Sequence, residues 1–257
     1  MQHKNRRDSM QIDSEKINNI KIDKLSIFIP NKKFFVAMAK KDRVDFIYNT
    51  SALEGNIMTY PDVATLLDGV TVGGHKLSDE QQILNQNRSL NLLFSMIENK
   101  SFELNKKRLL KLHKKVGFEE ALSWGEFRSG GVHIGGTEFL PPKADHLDSH
   151  FNNGINEIKK ISNPIVQAIT YFLFGAKSKF FYDGNKRVSR LMMNGILLLY
   201  GYPILNIKVK DKLELNKMMI DFYDNDNIQK SIKYLCDYYL KQNRVFKVKG
   251  IKINEKK

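Results

Sequence analysis

A short polar turn, Asp183-Gly184-Asn185, leads through Lys186-Arg187-Val188-Ser189-Arg190 into a ten-residue apolar run at 191–200. A helix that apolar must be buried, so the turn reads as a loop entering a core helix that the rest of the chain wraps. The wrapping segments are legible. Apolar residues recur at helical spacing over 44–53, 81–97, 107–116, 155–161, 165–174, 187–200, 213–223 and 228–240. Strand-like alternation is confined to 25–29, 132–134 and 245–253. The expected architecture is all-α with one short β-hairpin, and 257 residues suit a single full core plus extensions.

The turn also has chemistry. Backbone N–H groups at a helix start are unpaired and partly positive, so they attract phosphate. Asp183 offers a carboxylate for Mg2+, which takes carboxylate and phosphate oxygens together. Arg187 and Arg190, three apart, share a helix face and can both reach a polyphosphate. An isolated Asp-Gly-Asn reads more readily as a turn capping a helix with solvated charges. The Lys-Arg-x-x-Arg spacing and the buried helix favour the phosphate site.

The run 179–190, Lys-Phe-Phe-Tyr-Asp-Gly-Asn-Lys-Arg-Val-Ser-Arg, resembles the signature of Fic (Fido-domain) proteins, His-Pro-Phe-x-Asp/Glu-Gly-Asn-x-Arg-x-x-Arg. The segment 165–174, Gly201-Tyr202-Pro203, and Trp124-Gly125-Glu126-Phe127-Arg128 with Val132-His133-Ile134-Gly135-Gly136 extend the likeness. The resemblance implies a Fic-fold helical bundle over 42–241, a 1–41 extension and a basic tail at 242–257. It implies AMP transfer from ATP, with Mg2+, to a protein hydroxyl. Asp183 would bind the metal. Gly184 and Asn185 would line an anion hole beside Lys186, which departs from the commoner glycine. Arg187 and Arg190 would hold the β- and γ-phosphates, and Val132, His133 and Ile134 would form a flap pairing with the target segment.

Lys179 stands where the family has its catalytic histidine, and Phe180 replaces the proline. A lysine with an ordinary pKa of about 10.4 has no lone pair near neutral pH, so it is a poor general base. Phosphates and Asp183 should favour its charged form further. Either transfer is impaired and the chain is a nucleotide-binding pseudoenzyme, or it is an active adenylyltransferase using Lys179, its pKa depressed by burial, or another base, for which His133 on the flap is one candidate.

Thr50-Ser51-Ala52-Leu53-Glu54-Gly55 resembles the family's inhibitory motif, in which the glutamate pairs with the second arginine, here Arg190. Glu54 before Gly55 also fits an ordinary helix end. A brake on a site that lacks its base is redundant within one molecule. That motivates a third reading, an antitoxin-like regulator of a Fic paralogue. A protein target, ATP, the paralogue and a homo-oligomer are the expected partners.

The net charge of +14 comes from 42 basic against 28 acidic residues. The excess is spread along the chain without a nucleic-acid motif, so a solvated surface is the expected reading and nucleic acid is not an expected partner. The single cysteine, Cys236, excludes an internal disulfide or a cysteine metal cluster. No apolar leader or membrane-length run is present, which sets cytoplasmic residence as the expectation and excludes a membrane partner.

Overall fold

The computed structural model describes residues 11–22, 25 and 28–246, which form eleven α-helices. In chain order these are α1 (Ser14–Asn18), α2 (Lys32–Lys41), α3 (Arg43–Leu53), α4 (Tyr60–Leu67), α5 (Leu77–Glu98) and α6 (Lys106–Val116). There follow α7 (Leu147–Lys159), α8 (Pro164–Ser178), α9 (Asn185–Leu199), α10 (Lys212–Asn225) and α11 (Ile228–Gln242). Each of the eight periodic segments lies on one of these helices. The architecture is all-α.

The centre is the α8–α9 hairpin. Every residue of α8 from Ile165 to Ser178 is buried, so this largely apolar helix is enclosed on all sides, by α7, α9 and α11. Asn163 starts it, accepting from the N–H groups of Ile165 and Val166 at 2.9 and 3.2 Å, with Pro164 preset in the first turn. Gly175 lets the two helices approach. A Cβ there would lie 2.4 Å from the Ser189 hydroxyl on α9. Helices α5 and α6 cover the other side of α9.

Short helices α1, α2 and α4 have no counterpart among the periodic segments. Local chemistry starts each one. Asn31 caps α2 through the Phe34 N–H at 3.0 Å, and α4 begins with a reciprocal Thr59–Asp62 capping box followed by Pro61.

The strand expectations do not hold. No strand occurs among the described residues. At 25–29, the described residues Leu25, Phe28 and Ile29 are not strand, and the others lie outside the described residues. At 245–253, Val245 and Phe246 belong to a 3₁₀ turn, while the remainder, like most of the basic tail, lies outside the described residues. The flap is an extended loop rather than a hairpin. An isolated two-stranded hairpin is marginal in water. Here Arg128 replaces the ladder, its guanidinium donating to the carbonyls of Gly130 (2.6 Å) and Pro142 at the two ends of the flap.

Candidate functional site

The loop between α8 and α9 is held by its own amide. Asn185 accepts from the Phe181 N–H at 2.9 Å and donates to the Phe181 carbonyl at 2.7 Å, closing the turn on itself. Asp183 accepts from the Gly184 N–H at 2.6 Å. Gly184 has φ +72°, and a side chain there would also meet Val116 at 2.9 Å. No side chain caps the first turn of α9, so its leading N–H groups face the loop.

Two aromatics sink the loop into the core. Phe180 is buried against Phe127 and Phe151, at ring distances of 4.9 and 5.3 Å. Phe181 stacks on His113 at 3.5 Å. His113, missed in the sequence, fixes the loop from α6. Its Nδ1 accepts from the Gly125 N–H at 3.2 Å, which leaves Nε2 to donate to the Asp183 carbonyl at 2.9 Å. Burial pushes its pKa down to about 4, so this ring is neutral. Arg128 was quoted for the likeness but not for a role. It joins flap to loop by donating from Nε to the Lys179 carbonyl at 2.6 Å and from its N–H to the Phe180 carbonyl at 2.9 Å.

Lys179 ends α8 in the left-handed region at φ +48°, unusual for a residue with a side chain. Its pKa is lowered, first by burial and then by Lys186, against the opposing pull of Glu54 and Asp183. Asp183 favours the charged form, as expected, but does not prevail here. Desolvation and a like charge outweigh the carboxylates.

Lys179, Lys186 and Arg190 line a cavity of about 360 Å³ that reaches to Ile134 on the flap and to Met219 and Tyr223 on α10. Glu54 meets this group. Its Oε1 accepts from Arg190 Nη1 at 2.7 Å, and its Oε2 lies 2.9 Å from Lys186 Nζ. Burial acts to raise the Glu54 pKa, but Arg190 and Lys186 more than reverse this and hold it at about 2. The carboxylate is delivered by a Schellman end to α3, in which the Gly55 and Asn56 N–H groups return to the Ala52 and Ser51 carbonyls at 3.2 and 3.1 Å. Gly55 takes φ +99°. Thr50 is buried in the last turn of α3.

Arg187 has a glutamate of its own. Its Nη1 donates to Glu120 Oε2 at 2.7 Å and its Nη2 lies 3.4 Å from Asp183 Oδ2. Asp183 keeps 62% of its side chain exposed. It is one carboxylate, and no group of three or more His, Cys, Asp or Glu able to hold a metal occurs among the described residues. That donor set fits Mg2+ shared with phosphate oxygens rather than a metal caged by protein alone.

The flap divides its residues. Ile134 is buried against the cationic cavity, whereas Val132 and the exposed His133 line a separate cavity of about 750 Å³ with Leu140 and His150. The structure therefore does not bring His133 together with Lys179. His150, also missed, lies 2.8 Å from the Ser178 hydroxyl, and burial lowers its pKa to about 4.

The model of the family described as "Fic/DOC family" matches residues 103–197. The chain is similar to proteins named "Protein adenylyltransferase Fic". One from Aedes aegypti is 28% identical over 64% of this chain and 34% of its own length; one from Nematostella vectensis is 27% identical over 79% and 49%. The chain thus spans between a third and a half of these curated relatives. Among solved structures, a Fic domain containing signaling protein from Bacteroides thetaiotaomicron superposes with a TM-score of 0.70 at 21% identity, covering 86% of this chain and 91% of that one. Fic-1 (aa134–508) from C. elegans gives 0.69 at 18% identity, covering 91% and 67%. At these identities the likeness to solved structures speaks for the fold. Among the described residues no helix is long and apolar enough to cross a membrane.

Proposed function

The chain belongs to the Fic/DOC family, and from that premise we propose that it binds ATP at the start of α9 as a relative of the protein adenylyltransferases. In this reading Glu54 latches the site, and Lys179 leaves AMP transfer to a protein hydroxyl impaired. The observation that carries it is the bridging of Arg190 and Lys186, two cations that line the cavity, by the one carboxylate of Glu54, 2.7 and 2.9 Å away. These cations would otherwise meet a triphosphate. The Arg190 Nε is buried with no partner among the described residues, a donor that a phosphate oxygen would satisfy.

The chain's own groups divide the work. The leading N–H groups of α9 receive phosphate, and Arg187 and Arg190 orient it. Asp183 would hold Mg2+, which neutralises phosphate charge when bound. While Glu54 is in place it occupies Arg190 and repels an incoming phosphate, so nucleotide and latch compete. Lys179 carries the position from which a proton would leave the target hydroxyl, and in its ammonium form it accepts none.

A second reading, an active adenylyltransferase with Lys179 as base, is favoured by one observation, the lowered pKa of that lysine. Transfer from α-labelled ATP with Mg2+ separates the two, using the native chain, Glu54→Gly and Glu54→Gly/Lys179→His. The expected result is labelling by the double variant only. Labelling by Glu54→Gly alone would establish the second reading, and absence of ATP binding by every variant would overturn both.

A further inference from the structure

Glu120 lies in the turn after α6, outside every motif, yet its side chain is only 10% exposed and meets Arg187, itself 2% exposed. A buried carboxylate that met Arg187 only incidentally would keep some freedom. This one has none. Its Oε1 accepts from Asn85 Nδ2 at 2.8 Å, and its Oε2 accepts from Gln82 Nε2 at 3.3 Å as well as from Arg187 at 2.7 Å. Asn85 is fully buried and donates also to the Phe118 carbonyl at 2.6 Å, tying the brace to the backbone beside Glu120. Gln82 accepts from Asn56 at 3.1 Å, so the brace ends two residues from the latch glutamate.

We propose that Glu120, braced by Asn85 and Gln82, is the positioning residue of Arg187. It holds one edge of the guanidinium so that the other edge stays on the Asp183 side of the loop, where phosphate binds. Two facts support positioning over sequestration. The brace pins Glu120 to α5 whatever Arg187 does, and the two arginine nitrogens already point to different carboxylates, Glu120 and Asp183. A guanidinium offers five donors in a rigid fork, so fixing one edge aims the rest. The buried arginine also requires a counter-charge, and Glu120 supplies it without entering the 360 Å³ cavity.

The inference rests on the proposed nucleotide site, with Arg187 serving the β-phosphate. Its test is the affinity of ATP, ADP and AMP in the Glu54→Gly background, where the latch is absent. Adding Glu120→Gln should weaken ATP and ADP about tenfold, the scale of one charge-assisted hydrogen bond, and leave AMP within about twofold. Gln82→Leu keeps the charge but removes one brace, and should shift the same two nucleotides by a smaller factor. A general loss of structure would weaken all three alike, so the ADP-to-AMP ratio is the decisive readout. If the Glu54→Gly parent binds ATP and neither variant changes that ratio, the positioning role is overturned while the nucleotide site stands. A gain in ATP affinity on Glu120→Gln would also overturn it, by making Glu120 a second blocker. A parent that binds no nucleotide would overturn both.

Discussion

Arg187 and Arg190 stand one turn apart on α9, and each donates to a glutamate at 2.7 Å, yet the two pairs are built for different ends. Glu120 is gripped by two amides besides its arginine. Glu54 is 15% exposed and, among the described residues, is held by two cations, Arg190 and Lys186. A carboxylate with neutral hydrogen-bond partners keeps its place when the cation is taken. One held only by cations gives way when another anion competes for them. Burial and distance alone would make the pairs equivalent; what surrounds each carboxylate distinguishes the proposed anchor from the proposed latch.

The sharpest break of this comparison lies next to the latch. Glu54→Gly/Lys179→His should label a target or itself at least on the order of 100-fold above Glu54→Gly, the scale of restoring a general base, measured by incorporation from α-labelled ATP. Opposite signs of nucleotide affinity come next. Glu54→Gly should tighten ATP by about tenfold through the release of a charge-assisted pair, whereas Glu120→Gln in that background should weaken it, both by calorimetry.

The stability of the latch itself follows pH. Its glutamate titrates at about 2 in the fold against 4.5 ordinarily, so the contribution is complete above about 4.5 and is lost as pH falls toward 2. At full strength that shift corresponds to on the order of 3 kcal/mol. The melting-temperature advantage of the native chain over Glu54→Gln should therefore vanish across this window. A decline of similar size per residue is expected at milder acidity. His113 and His150 titrate at about 4 in the fold against 6.5 unfolded, so the unfolded chain takes up protons first and stability should decline from pH 6.5 to about 4. His113→Asn should flatten part of that decline in a thermal melt.

Much of the fold was legible because helix periodicity is local. The eight apolar segments needed no knowledge of their neighbours, and the run at 191–200 marked α9 as a core helix. Helices α2 and α4 are not among the periodic segments. Their caps, Asn31 and the Thr59–Asp62 box, were the available signal. The flap was misread because Val132 and Ile134 alternate as strand residues do. They face different cavities, and Arg128 takes the carbonyls at both ends of the loop.

The candidate site divides the same way. By itself the sequence determined which residue types share the loop: Asp183, Gly184, Asn185, two arginines one turn apart, and a lysine where the family has its histidine. Spacing along one helix sets these, so a string of letters carries them. Only the tertiary structure decided which carboxylate meets which arginine. Glu54 is 136 residues from Arg190 and Glu120 is 67 from Arg187. Their meeting depends on how α3, α5 and α6 pack around α9, and so do the amides at Asn85 and Gln82 that make one pair rigid. The sequence left open whether burial lowers the Lys179 pKa; that lowering depends on the packed molecule.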